Sequence, residues 1–190
     1  MLKVALTGNF GSGKTFVLGL FRTKGTQIIN SDKIVSSLYK NKKFLALLKK
    51  EFATTNKKRI AEIVFSNKRK RKKLESFIHP LVIKEIKFRL KKLKSRNTKL
   101  VIVEVPLLFE TNLQKLFDFT ILVKCSKEKC IKRLKKKGFS RSEVIARLKT
   151  QKPQKYKAKR ANFIINNNST KTKTKKQVKK IYYQLVNYCR

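Results

Sequence analysis

The residues that most clearly could do chemistry form a glycine-rich string close to the N-terminus. Residues 8–15 read GNFGSGKT, which matches the phosphate-binding pattern G-x-x-x-x-G-K-S/T without a mismatch. The main-chain amides of such a loop point inward and, with the positive end of the following helix, bind polyphosphate. Lys14 would then bridge the β- and γ-phosphates, while the Thr15 hydroxyl would be a ligand of Mg²⁺. The string therefore predicts binding of ATP and magnesium, and the alternative is a glycine-rich turn without a ligand.

A phosphate loop by itself does not separate a kinase from a GTPase or an ATP-driven motor. The N-K-x-D string that reads guanine in GTPases does not occur in the sequence. The third apolar run ends in a single acid, Glu104, and not in the paired acids expected of a motor. The sequence therefore favours a kinase. We predict that nine consecutive residues line its nucleotide site: Gly8, Asn9, Phe10, Gly11, Ser12, Gly13, Lys14, Thr15 and Phe16.

The elements that would position this loop alternate between strands and helices. Short apolar runs predict five strands, at residues 3–7, 27–29, 100–103, 119–123 and 163–165. Such strands, separated by helices, indicate a parallel sheet that is covered on both faces. The expected fold class is therefore α/β: a three-layer P-loop NTPase in which residues 1–190 form one domain around a five-stranded parallel sheet.

Two helical regions are expected within this domain. Residues 33–97, between the second and third strands, are lysine-rich and repeat apolar residues at helical spacing, which predicts a helical insert. Residues 126–160 are expected to contain two helices, the second of which opens with a capping box formed by Ser140 and Glu143. A final helix is expected from about residue 175 to residue 188.

The composition is strongly basic. Lys and Arg number 51 against 10 Asp and Glu, which gives a formal net charge of +41. The excess is spread along the chain, and the basic runs at 68–73 and 171–176 contain no interleaved aromatic residues. We therefore interpret these runs as solvated faces and expect no specific nucleic-acid partner.

The sequence also bears on compartment and metal binding. No run approaches the roughly 20 apolar residues that span a bilayer, and no signal peptide is recognisable, so we expect a cytoplasmic protein without a membrane partner. Cys125, Cys130 and Cys189 form no C-x-x-C pair, and His79 is the only histidine. A zinc site is therefore not expected, and free thiols are.

Further strings follow the phosphate loop in a fixed order. They are SDKI at 31–34, Arg59, VF at 64–65, LE at 74–75, HP at 79–80, PLLFE at 106–110, Arg147 with Gln151, Asn167, and QV at 177–178. In order and spacing this series resembles that of the dephospho-CoA kinases, P-loop proteins of the nucleoside-monophosphate-kinase-like group, nearly from end to end. The resemblance assigns substrate binding to the insert at 33–97 and identifies residues 126–160 as a helical lid.

The resemblance implies transfer of the γ-phosphoryl group of ATP to the ribose 3′-hydroxyl of dephospho-CoA, which gives coenzyme A and ADP. It assigns catalysis to Asp32, which would orient the hydroxyl and accept its proton, together with Lys14 and the lid residue Arg147. The residues expected to bind dephospho-CoA are Asp32, His79, Pro80, Pro106, Leu107, Leu108, Phe109 and Glu110.

The resemblance also adds residues on the nucleotide side. Asn167 joins the nucleotide site, and Thr15 would hold Mg²⁺ with Glu104 assisting through a water molecule. Glu104 stands where the family commonly has aspartate, Asn162 also replaces an aspartate, and Lys137 replaces a lid arginine. Lys137 keeps the positive charge but loses the planar fork of arginine, so looser contacts with phosphate are expected.

Several of these residues have a structural alternative. Asp32 could be a helix N-cap, and Arg147 could be an ordinary surface arginine. His79 is expected to pin a turn at Pro80 and not to carry a proton. Residues 107–109 could belong to the core.

Two other functions stay open at this point. One is a kinase of the same fold that acts on a nucleoside monophosphate or another small acceptor. The other is a basic nucleic-acid-binding protein with a vestigial phosphate loop. For the favoured function we expect a monomer whose partner is the small molecule dephospho-CoA.

Overall fold

The computed structural model describes residues 1–23 and 25–189, and strands and helices alternate along them. The elements are β1 Leu2–Thr7, α1 Lys14–Leu20, β2 Thr26–Asn30, α2 Ser31–Leu38, α3 Lys42–Phe52, α4 Lys57–Ser66, α5 Lys68–Lys94, β3 Leu100–Glu104, a 3-10 turn Leu113–Leu116, β4 Phe119–Lys124, α6 Lys127–Lys135, α7 Arg141–Lys149, α8 Gln154–Ala158, β5 Phe163–Asn166 and α9 Lys171–Asn187. Two compact units result, Met1–Ile29 with Leu90–Arg190, and Asn30–Arg89.

The strands form one five-stranded parallel sheet in the order β2-β3-β1-β4-β5, which confirms the expected α/β fold class. β1 lies between β3 and β4, so Leu6 pairs with Glu104 on one side and with Ile121 on the other. The chain leaves β1 towards β2 but leaves β3 towards β4, so the direction of winding reverses between β1 and β3. Ligands of open α/β sheets bind at such a reversal, beside the carboxyl ends of the strands.

The core of the larger unit explains why short apolar runs predicted the strands well. All five residues of β3 are buried, as are the last four of β1, because helices cover both faces of a parallel sheet. On one face, Val17 and Leu18 of α1 and Ile181 and Leu185 of α9 pack on alternate strand residues. Each observed strand extends the predicted one by no more than one residue at either end.

Two helices near the end of the chain differ from the prediction. α9 begins at Lys171, about four residues earlier than expected, because the Thr170 side chain accepts a hydrogen bond from the Lys173 amide and caps the helix there. Between β4 and β5 the structure has three helices instead of two. The extra one, α8, is a five-residue helix preceded by Pro153, too short to show a periodic pattern.

The smaller unit is helical, as its sequence predicted. Asn41 and Asn56 cap α3 and α4 with their side chains. Phe44, Leu48, Phe52, Ile60 and Val64 form its buried core, and Leu74, Phe77 and Ile78 of α5 pack against it. In the part of the chain that the structure describes, no helix has both the length and the apolar character needed to cross a bilayer.

The expected turn at Pro80 is wrong. Pro80 lies inside α5, a helix of 27 residues, so there is no turn for His79 to pin. Proline has no amide hydrogen, and the α-helical bond to the carbonyl of Ser76 is therefore missing at this position. Apolar residues on both sides of Pro80, among them Ile78 and Val82, keep the helix packed across the gap.

Candidate functional site

The phosphate loop connects β1 to α1, in the strand-loop-helix context that the motif requires. Gly11 and Gly13 have φ angles of 79° and 92°, in the left-handed region that favours glycine. Gly8 has a different constraint, because a Cβ at this position would lie 2.6 Å from the carbonyl oxygen of Val123 in β4. The chain at these positions can therefore follow the phosphate-loop path only with glycine.

Lys14 folds back across the loop. Its Nζ donates hydrogen bonds to the carbonyl oxygens of Gly8 at 2.9 Å and Asn9 at 3.2 Å. Two polar atoms of the loop, Ser12 Oγ and Asn9 Oδ1, are buried and have no hydrogen-bond partner among the residues that the structure describes. Buried polar atoms normally have partners, so this loop has hydrogen-bonding capacity left for a polar ligand.

The carboxyl ends of β1 and β3 are joined at the reversal of winding. The Thr7 hydroxyl donates to the Pro106 carbonyl at 3.3 Å, and the Val105 amide donates to the Leu6 carbonyl at 2.9 Å. Glu104, the last residue of β3, is only 1% exposed. This edge of the sheet therefore brings a buried carboxylate and the phosphate loop together.

The donor atoms here suit magnesium. Thr15 is exposed in the first turn of α1 and offers a hydroxyl oxygen, and Glu104 offers a carboxylate; oxygen ligands of this kind are those that Mg²⁺ prefers. The described residues contain no group of three or more His, Cys, Asp or Glu that could hold a metal ion. The residues present thus fit a metal that arrives with a triphosphate and takes its other ligands from phosphate and water.

Arg133, on α6, holds the main chain of the phosphate loop through a hydrogen bond, and the sequence analysis did not identify it. Its Nη1 donates to the Ser12 carbonyl at 3.2 Å and to Cys125 Sγ at 3.3 Å, and its Nη2 donates to the Asn167 carbonyl at 2.9 Å. The Asn167 side chain also donates to the Ser12 carbonyl, at 2.8 Å, and accepts from the Thr174 hydroxyl at 3.0 Å. Asn167, expected in the nucleotide site, is thus buried as a support of the loop backbone.

Two thiols lie beside this arginine. A hydrogen bond from Cys130, more than the nearby charges of Arg133 and Lys129, lowers the pKa of Cys125 to about 7 against the opposing effect of burial. The same hydrogen bond and burial raise the pKa of Cys130. Among the described residues all three cysteines are free thiols.

Helices α6 and α7 pack directly on the phosphate loop. Phe10 of the loop joins a cluster formed by Ile131, Leu134 and Val144, with Phe139, Ile145 and Leu148 around it. Gln151 Oε1 accepts a hydrogen bond from the Phe10 amide at 2.8 Å. The expected capping box is confirmed: the Ser140 hydroxyl accepts from the Glu143 amide, and the Glu143 carboxylate accepts from the Ser140 amide.

Arg147 projects from α7 onto the loop. Its guanidinium carbon lies 4.9 Å from the centre of the Phe10 ring and 4.7 Å from that of the Phe139 ring. Burial lowers the pKa of Arg147, and the nearby Glu143 carboxylate opposes that shift. Arg147 therefore contacts the loop through Phe10, and its assignment as a lid residue stays a prediction.

Comparison with known proteins agrees with this geometry. A family model described as dephospho-CoA kinase matches residues 2–173. The chain belongs to the dephospho-CoA kinase family. It is 35% identical to the dephospho-CoA kinase of Aquifex aeolicus, over 97% of this chain and 98% of that protein. The resemblance inferred from the order of the motifs is therefore confirmed.

Solved structures point the same way. A protein from Thermus thermophilus superposes with a TM-score of 0.82 at 30% identity, over 96% of each chain. The dephospho-CoA kinase of Campylobacter jejuni superposes with a TM-score of 0.72 at 25% identity, over 99% of this chain and 98% of that one. Both matches therefore cover nearly the whole chain.

In this member of the family, the PLLFE string at 106–110 is largely structural. Leu108 and Phe109 are 0% and 2% exposed, so the structure favours the core alternative for both. Glu110 Oε1 accepts from the Lys152 amide at 2.8 Å and lies 2.9 Å from Nζ of the fully buried Lys157. Pro106 and Leu107 are half-buried, and they remain the members of the string whose side chains could reach an acceptor.

Asn162, which departs from the family pattern, has a structural role as well. Its Oδ1 accepts from the amide and the hydroxyl of Thr120, both at 2.9 Å, at the start of β4. A neutral amide oxygen thus meets the same two donors that a carboxylate could accept. Lys137, which also departs from the family pattern, is exposed just after α6.

The remaining predicted residues lie in the helical unit Asn30–Arg89. The side chain of Asn30 accepts from the Lys33 amide at 2.9 Å and caps α2, so the N-cap alternative for Asp32 is wrong. Asp32 instead lies exposed in the first turn of that helix. His79 is half-buried in α5; burial lowers its pKa, and Glu75 one turn earlier opposes the shift. Substrate roles for Asp32, His79 and Pro80 stay predictions.

Proposed function

We propose that this protein transfers the γ-phosphoryl group of ATP to the 3′-hydroxyl of the ribose in dephospho-CoA, forming coenzyme A and ADP. The observation that carries the proposal is the GNFGSGKT loop at the point where the sheet reverses its winding, with the guanidinium of Arg147 against the Phe10 ring of the loop. Membership of the dephospho-CoA kinase family supports the choice of acceptor.

Positioning and neutralisation of charge account for most of the catalysis in phosphoryl transfer. Lys14 donates hydrogen bonds across the loop to the carbonyls of Gly8 and Asn9, and this contact supports a role for its ammonium in binding the phosphate tail. Arg147 would add a second positive charge from the lid side. Mg²⁺, when bound, would neutralise charge on the β- and γ-phosphates, and Thr15 would hold it with Glu104 assisting.

Asp32 is proposed as the residue that orients the ribose hydroxyl and accepts its proton. An exposed carboxylate near the start of a helix that follows a strand is available to a ligand, and Asn30 already fills the cap position. A carboxylate suits this chemistry because it accepts the proton late, as the oxygen bonds to phosphorus.

The test supplies purified protein with Mg-ATP and a panel of acceptors: dephospho-CoA, the nucleoside monophosphates and shikimate. Dephospho-CoA is expected to give stoichiometric ADP and a product heavier by one phosphate on the ribose. Lys14→Ala is the control for activity that depends on the loop. Faster ADP release with a nucleoside monophosphate would contradict the proposed acceptor, and salt-resistant RNA binding without acceptor-dependent ATP consumption would contradict a kinase altogether.

We also propose that the protein is a monomer and that it acts in the cytoplasm. The free thiols Cys125, Cys130 and Cys189 suit a reducing compartment. Sedimentation of the purified protein at several concentrations tests the monomer.

A further inference from the structure

Two phenyl rings that meet at a right angle form a notch beside the phosphate loop. Phe10 comes from the loop and Phe139 from the connection between α6 and α7, and their ring centres are 5.4 Å apart at an interplanar angle of 87°. The guanidinium carbon of Arg147 lies over both rings, 4.9 Å and 4.7 Å from their centres. We call this pair of rings the aromatic notch.

Local structure fixes Phe139 firmly. Its amide donates to the Leu134 carbonyl and the Gly138 amide donates to the Lys135 carbonyl, while Gly138 has a φ of 85°. This is the Schellman pattern that ends helices at a left-handed glycine. The next residue, Ser140, begins the capping box of α7. Phe139 is therefore held between the end of one helix and the cap of the next.

The loop side of the notch is fixed as well. The Phe10 amide donates to Gln151 Oε1 at 2.8 Å, just after the end of α7. Phe10 thus contacts Phe139 with its ring and Gln151 with its backbone, and these two residues precede and follow the helix that carries Arg147. The distance between Arg147 and the loop is consequently set by contacts that do not involve a nucleotide.

The physics of the guanidinium group makes such a notch useful. Aromatic rings attract its flat faces, whereas hydrogen bonds to phosphate use the N–H groups at its edge. Contact with the rings therefore restricts where the group lies without competing for the same donors. A charge fixed in advance stabilises a transition state better than one that must first be brought into position.

We propose that Phe139 is a positioning residue for phosphoryl transfer: together with Phe10 it forms a notch that holds Arg147 against the phosphate loop. The proposal rests on the role of Arg147 in the proposed function. The alternative is that Phe139 only fills the cluster around Leu134 and Val144.

A double-mutant cycle separates the two. Phe139→Leu keeps most of the apolar volume and removes the ring, and the variants are Phe139→Leu, Arg147→Met and the combination. We expect Phe139→Leu to lower kcat by about 5- to 10-fold with a KM for Mg-ATP within about 2-fold, because Arg147 acts on charge that develops in the transition state. In the Arg147→Met background, the same change should alter kcat by less than about 2-fold. Phe139→Tyr should restore the activity.

The matched control is Phe163→Leu. Phe163, on β5, also loses a ring contact on this change, with Phe119 at 5.7 Å, but it lies outside the cluster around Leu134 and Val144. Its kcat should stay at the level of the unaltered protein. An equal loss of kcat from Phe139→Leu with and without Arg147 would overturn the proposal, since the residue would then act through packing alone.

The cycle is run with whichever acceptor in the panel supports fastest turnover, so an error in the acceptor does not affect it. A second measurement needs no substrate: the Nε–H resonance of Arg147, assigned with Arg147→Lys, should carry a ring-current shift that Phe139→Leu reduces. An Arg147 resonance that Phe139→Leu leaves in place would show that the notch does not hold the guanidinium, and the proposal would fail whatever the acceptor.

Discussion

Replacing Lys157 by methionine removes the fully buried member of a largely buried ion pair. Lys157 is 0% exposed, its Nζ lies 2.9 Å from Glu110 Oε1, and the Glu110 side chain is 14% exposed. The ammonium makes this contact as an ion pair and has no aligned hydrogen bond of its own. Methionine has a similar length and no charge, so the variant isolates the charge from the packing.

The magnitude follows from what remains after the change. Removal of one partner from a buried pair typically costs about 3–5 kcal/mol, because the other charge stays buried without compensation. Glu110 keeps the Lys152 amide as a donor and retains some contact with solvent, so we expect the lower end, about 3 kcal/mol. For a chain of this size, that corresponds to a decrease of about 6–12 °C in the melting temperature.

The assay is thermal and urea unfolding followed by circular dichroism. Lys155→Met, on the same short helix but exposed, is the matched control and should change stability by less than about 0.5 kcal/mol. The double variant Lys157→Met with Glu110→Leu should recover part of the loss, because it removes both charges from the interior. A loss below about 1 kcal/mol for Lys157→Met alone would refute the reasoning, since the pair would then contribute no more than a surface contact.

Three further predictions concern single residues. Asp32→Asn should lower kcat by about 10²- to 10⁴-fold while nucleotide titration shows unchanged ATP binding, and near-normal turnover would remove Asp32 from the chemistry. Gly8→Ala should cost about 1–3 kcal/mol in urea unfolding, because its Cβ would meet the Val123 carbonyl at 2.6 Å, whereas Gly19→Ala, with open space at its Cβ, should gain about 0.5–1 kcal/mol. His79 should titrate below the ordinary pKa of 6.5 in a proton NMR experiment, because burial disfavours its charged form. The stability that the neutral imidazole contributes is then present above pH 6.5 and is lost as the pH falls. A titration midpoint above 6.5 would contradict this prediction.

The parts of the fold that sequence predicts well are those fixed by local pattern. The strands are short apolar runs because both faces of a parallel sheet are covered. The capping box joins Ser140 and Glu143, which are only three residues apart in the sequence. The start of α9 was misjudged because lysines at 171–176 give no apolar period, and the cap at Thr170 decides the boundary instead. Pro80 predicts a turn because proline usually ends a helix. In the structure α5 continues through Pro80, because its apolar residues pack on the core of the smaller unit.

The parts of the site that sequence could not predict depend on contacts between distant segments. Arg133 is an unremarkable member of a basic helix until α6 is placed behind the loop, where it meets Ser12 and Asn167. Lys157 is one lysine among many, and only the burial of α8 against Glu110 distinguishes it. Arg133 and Lys157 are therefore distinguished by burial and partners, because residue type carries little information in so basic a sequence.

The ten acidic residues can be sorted by their contacts in the same way. Five of the ten carboxylates form ion pairs within their units: Glu51, Glu75, Glu85, Glu110 and Asp118. Glu143 completes the capping box, Glu128 lies in the first turn of α6, where a helix favours negative charge, and Glu104 is buried at the end of β3. Asp32 and Glu62 have no ion-pair partner among the described residues of their unit. Both carboxylates are exposed: Glu62 lies in the middle of α4, whereas Asp32 lies in the first turn of α2, two residues after the end of β2 in the chain. A proton acceptor for the ribose hydroxyl must be free to meet a ligand, so the lack of an ion pair in the described part of its unit supports the role proposed for Asp32, and the Asp32→Asn assay tests it.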